Sequence, residues 1–199
     1  VKGSPAVLRS ILGYSAASRA AQGGAQAFMD ATKFVVGNML RSMAKKIEIE
    51  MLYGQVGYAT VASIATNAIT ITTAEWAPGI WAGSENMPLE IRSSAGVLRG
   101  YCNVQSVNMD TRIVNVDAAP AGVVATDVIW HKGAYGNEFV GIHKMLTTSG
   151  ILFNIDNSIY NLFKGNQYDA QSGALSFAKL NQAVARSVEK GLEGKVTCL

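Results

Sequence analysis

Between Ala25 and Tyr53 the apolar positions Phe28, Ala31, Val35, Met39, Met43, Ile47 and Met51 recur every three to four residues, with Val36, Leu40 and Ala44 widening the stripe. That period predicts one long amphipathic helix. Gly23-Gly24 stands ahead of it and Gly54 follows as a C′ residue, and at 1.5 Å per residue the rod spans roughly 40 Å. Phe28 and Val35 are expected to face a core. Lys46 and Glu50 lie four apart, and Lys45 and Glu48 three apart, on a polar side. Such pairs add only about 0.2–0.5 kcal/mol each, so they read as a solvated or subunit-facing edge and not as a carboxylate dyad. Ahead of the rod, Ala6 to Ala21 is a weaker, alanine-rich helical stretch interrupted by Gly13.

From Gly57 the period changes to two. Thr60 to Ile64 and Ala68 to Thr72 alternate small or polar with branched apolar residues around an Ala65-Thr66-Asn67 turn, which predicts a hairpin. Pro88 to Arg92, Val97 to Met109, Arg112 to Val116 and Val123 to His131 follow as further strands, with Asp110-Thr111 as a turn. Short strands spaced by turn residues argue for a small antiparallel barrel or sandwich. After Gly150 the pattern is mixed. Ile151 to Ile155 reads as extended, and Ser176 can cap a helix with Phe177, Leu180, Val184 and Val188 on one face and Gly191 at its end. The fold class expected is α+β, divided as 1–56 (helical segment and long helix), 57–146 (β-barrel) and 147–199 (the start of a further domain).

With 49% hydrophobic and 16% charged residues the chain can bury a core. No apolar run reaches membrane-spanning length, and no signal peptide is visible. Val1 in place of Met, and the apolar run Lys195 to Leu199 read as a strand, suggest that both ends are cut. Two cysteines, Cys102 and Cys198, are too few for a disulfide framework or a zinc knuckle and read as reduced thiols of a cytoplasmic product. The net charge of +3 is unevenly spread: seven basic residues and one acid up to Lys46, then ten basic against thirteen acidic. A basic front can meet phosphates without sequence preference, but no motif for base reading accompanies it.

Candidate chemistry is thin. Cys102, His131 and Asp127 sit on strands of one predicted barrel and can be drawn as thiol, base and orienter. Cys102 lies in Gly-Tyr-Cys-Asn-Val, however, without the helix N-terminus or glycine elbow that activates a nucleophile. His131 and His143 are not at metal-ligand spacing. Gly133-Ala134-Tyr135-Gly136 lacks the order of a phosphate loop and reads as a turn. No catalytic, metal or cofactor site is expected. Trp76 and Trp81 flank Ala77-Pro78-Gly79-Ile80; they can plug a barrel end, anchor an interface, or form a platform for a sugar or base.

The order of parts resembles the major capsid proteins of tailed bacteriophages, with the Hong Kong 97-like fold. Ala20-Ala21-Gln22 leading to Ala27-Phe28 and the long helix, its ending Glu50 to Gln55, the block Asp127 to Gly141, and Ile155-Asp156 to Tyr160 with Lys164-Gly165-Asn166 carry the likeness. The resemblance implies that the long helix is the spine of a peripheral domain, that 57–146 is a β-barrel insertion domain, and that 147–199 begins a central domain. It also implies an arm ahead of Val1 and further central domain after Leu199. The implied function is structural and not enzymatic: an icosahedral shell of hexamers and pentamers in the virion capsid, assembled in the host cytoplasm around double-stranded DNA held by non-specific contact. Scaffolding, portal and decoration proteins are further implied partners, without membrane or cofactor. Arg41, Lys45, Glu48, Glu50, Trp76 and Trp81 are the candidate interface residues. An encapsulin-like compartment shell and a carbohydrate- or nucleic-acid-binding β module are the alternatives.

Overall fold

A computed structural model of the chain describes residues 18–19, 21–170, 173–189 and 191. Helix α1 runs unbroken over Ala25–Tyr53, 29 residues that span about 43 Å. The barrel follows at once: β1 Ala59–Ala65, β2 Ala68–Ile71, the single helical turn α2 Pro78–Trp81, β3 Pro88–Arg92, β4 Leu98–Asn108, β5 Ile113–Val116 and β6 Val128–His131. Beyond it come the short helix α3 Ile142–Met145, the two-stranded ribbon of β7 Ile151–Leu152 and β8 Ile155–Asp156, and helix α4 Phe177–Glu189. Most of the expected helix over Ala6 to Ala21, and the strand ending at Leu199, lie outside the described residues.

The six barrel strands close in the order β1-β2-β5-β4-β3-β6, all pairs antiparallel. Alternation places Val61, Ile69, Ile71, Leu89, Ile91, Val104, Val114, Val116 and Ile129 inside, each at most 1% exposed. Closure leaves no strand edge open and gives the lobe one continuous apolar interior. Irregular register in β1, β3 and β4 marks the bends that let so few strands close. In the β4–β5 turn Asn108 Oδ1 accepts from the amides of Asp110 and Thr111, both at 3.1 Å.

Several expectations change. Gly54 follows α1 as expected, but with φ −53° it is no left-handed cap, and its small size serves a close crossing described below. Val123 to Asp127 is loop, because the Asp127 carboxylate turns inward and accepts from Val124 N at 3.0 Å. Ile151 to Ile155 is not continuously extended: Ile151, Leu152 and Ile155 are in strands, but Phe153 and Asn154, at φ 51° and 63°, form a tight turn between them. Phe28, at 39% exposed, and Val35, half-buried, do not face a core. Only Ile49 and Glu50 of α1 are buried, since the barrel meets the last turns of the rod and not its length. On α4 the face of Phe177, Leu180 and Val188 is likewise exposed.

Candidate functional site

The expected interface residues separate by burial. Arg41 and Glu48 are exposed on α1. Lys45 is half-buried and donates from Nζ to Ala82 O at 2.6 Å, so it ties the rod to the α2–β3 loop. Glu50 is only 4% exposed and lies 3.7 Å from Lys46 Nζ, which corrects its assignment to a solvated or subunit-facing edge: it is part of the inner joint. Trp81 is fully buried, stacked on half-buried Trp76 with ring centroids 6.2 Å apart and planes 2° from parallel. It therefore fills the barrel and cannot line a subunit contact or offer a ring face to a sugar or base; only Trp76 retains exposed surface.

The drawn thiol, base and orienter do not assemble. Cys102 and His131 pair with Leu89 from opposite sides, so a whole strand separates them by about 10 Å. Asp127 is occupied by Arg99, Nε to Oδ2 at 3.1 Å, and does not orient His131. Burial, helped by the Asp117 carboxylate, pushes the Cys102 thiol up to about 11, so it is a core residue and no ready nucleophile. Burial and the nearby Lys46 hold His131 below its ordinary range, with Nδ1 3.5 Å from Lys46 Nζ. No cluster of three metal-ligating side chains occurs among the described residues.

What the structure does assemble is a joint between α1 and the barrel. The end of α1 crosses the segment after β6 at backbone contact: Gly141 N donates to Gly54 O at 3.0 Å, and a Cβ on Gly54 would overlap the Phe139 carbonyl oxygen. Glu138, 83 residues from Gln55 along the chain, accepts from Gln55 N through Oε2 at 2.9 Å, while Gln55 Nε2 donates to Glu138 O at 2.9 Å. Glu90 is the third buried acid of the joint, bridged to Arg92 Nε at 2.8 Å and accepting from Gly133 N at 2.9 Å. Arg92 in turn lies over the Tyr135 ring at 4.1 Å. Burial raises Glu50, with Lys46 opposing, and raises Tyr58, with the Glu138 and Glu50 charges adding to it. Sequence spacing gave no sign of this cluster because its members come from α1, the turn between α1 and β1, β3, the end of β6 and the segment beyond.

No protein-family model, curated protein or solved structure matches this chain. The joint and the uncovered rod are thus the features that a functional reading has to explain.

At the edge of the joint, a cleft of about 340 Å³ opens between α1 and the barrel mouth, with Lys45, Lys46 and Ile49 on one wall and Ser84, Met87 and His131 on the other. Its two α1 lysines are already engaged, with Ala82 O and Glu50, so among the described residues no free lysine or arginine converges on it for a small anionic ligand. The open surface of α1 is different in kind. Phe28, Met29, Phe34 and Leu40 are 39%, 48%, 70% and 58% exposed along one stretch of rod. Large apolar side chains in such number on one element mark a surface that another surface covers.

Proposed function

We propose that the chain is a structural subunit of a tailed-phage-type capsid with the Hong Kong 97-like fold, α1 being its spine and the barrel its insertion domain. The observation that carries this reading is α1 itself: a rod of about 43 Å, seated among the described residues only by its last turns, with Phe28, Met29, Phe34 and Leu40 exposed. A protein that acts alone gains nothing from large apolar side chains left uncovered around a rod. A shell subunit needs long side-by-side contacts that repeat and close under symmetry. The meeting of Glu50 to Gln55 with Asp127 to Gly141, two of the stretches that carry the sequence likeness, supports the same reading, because both serve to fix the rod to the barrel. Copies of the chain in hexamers and pentamers are then its main partners, with Arg41 and Glu48, on the same side of α1 as Phe34, to set register. Packaged double-stranded DNA is met through phosphates only.

Sedimentation velocity and negative-stain imaging of the purified protein test this. Closed or curved lattices are the expected result, and Phe34→Ser, with or without charge reversal at Arg41 and Glu48, should abolish them while leaving the thermal midpoint of the unassembled chain unchanged. Protein that stays monomeric across conditions, or variants that assemble like the parent, would overturn the proposal. Nucleic acid inside the particles separates a virion shell from a compartment filled with protein cargo.

A further inference from the structure

The charge balance of the joint is uneven. α1 brings Lys46 and Glu50 to it, the turn just before β1 brings Tyr58, β3 brings Glu90 and Arg92, β6 ends on His131, and the segment beyond supplies Glu138. Behind them His143 of α3 stacks on Tyr53 of α1 at 6.0 Å. Glu50, Glu90 and Glu138 are 4%, 1% and 3% exposed. Each of the first two has its own cation, Lys46 at 3.7 Å and Arg92 at 2.8 Å. Glu138 has none within bonding distance among the described residues. Its Oε2 is held by the neutral Gln55 amide, and its Oε1 is buried with no hydrogen-bond partner among the described residues. A charge on Glu138 would sit desolvated beside two other carboxylates, which is the arrangement that a buried acid avoids by keeping its proton.

We infer that the Glu138 carboxyl is a proton-operated latch at the joint: neutral, it stays packed under Gln55 and keeps the rod seated on the barrel; ionised, it draws water in and frees the rod to change its angle. Burial above all raises this carboxyl to about 7, with Glu50 and Glu90 adding to the rise and the Gln55 amide and Lys46 opposing it. The folded joint thus binds this proton more tightly than an open chain does. The stabilisation is complete below the ordinary carboxylate range and is lost as pH rises through about 7. His131, held below the usual imidazole range, changes charge on the acid side of that window. The latch is a property of the single chain and does not depend on shell assembly.

Hydrogen exchange on the whole chain reads it directly. After correction for intrinsic exchange, protection of the Gln55 and Gly141 amides should fall about tenfold between pH 6 and pH 8, the ratio expected for one group titrating midway. Glu138→Gln keeps a carbonyl for the Gln55 amide and cannot ionise, so its protection should be the same at both pH values. Equal protection of the parent at both, or an undiminished fall in the variant, would overturn the latch. Should the variant not fold, carbon-13 titration of the Glu138 carboxyl in the parent decides: a midpoint near 7 supports the latch, and one in the ordinary range of about 4.3 sinks it.

Discussion

Gly54 and Gly141 let two backbones touch where most residues would hold them apart. Added Cβ atoms would meet the Phe139 carbonyl oxygen on one side and the Gly54 nitrogen on the other, and backbone atoms cannot swing away as a side chain can. Gly54→Ala or Gly141→Ala should therefore cost about 1–3 kcal/mol, the usual penalty for overfilling a packed site. Thermal unfolding followed by circular dichroism checks it, and a change below a few tenths of a kcal/mol would show that the crossing can relax. Asp127 teaches a related lesson about reading polar residues from sequence. Placed in an apolar run, it looks like part of a strand and a possible orienter for His131; in the fold it is buried against Arg99 and the Val124 amide and ends the loop before β6. Alternation alone does not reveal which acids turn inward, because the deciding partners lie elsewhere in the chain.

At the level of elements, α1 was legible almost to the residue, since a helical period bounded by glycines is a local signal. β3 matches its expected span, and β2, β4 and β5 come within a residue or two of theirs, for the same reason. Which side of α1 would be covered was not legible. An apolar stripe states that something packs there, but the same stripe serves an internal core or a neighbouring molecule. The last turns meet the barrel and the first turns meet only the Ala21–Gly23 turn ahead of them, so the core expected for Phe28 and Val35 is not supplied by the described residues. Gly37 sits within this open stretch with clear space where a Cβ would go. Gly37→Ala should stabilise α1 by about 0.5–1 kcal/mol, the cost of glycine in a helix interior. An upward shift of the thermal midpoint of the unassembled chain is the expected readout; a downward shift would mean that something already occupies that space. α4 repeats the pattern, with Phe177, Leu180 and Val188 exposed on one face.

For the molecule as a whole, the α+β organisation follows from two changes of hydrophobic period, while the joint arises only when distant segments meet. Glu138 reaches Gln55 over 83 residues of intervening chain, and the whole barrel is contained in that interval. β1 and β6 are neighbours in the closed ring, Ala59 opposite Ile129, so the polypeptide leaves the lobe beside the place where it came in. The lobe is thus a cassette: lengthening, exchanging or removing it leaves the two flanking ends already side by side, with no gap to bridge. An architecture of this kind lets the lobe vary in length and surface while the two ends that enter and leave it stay where they are.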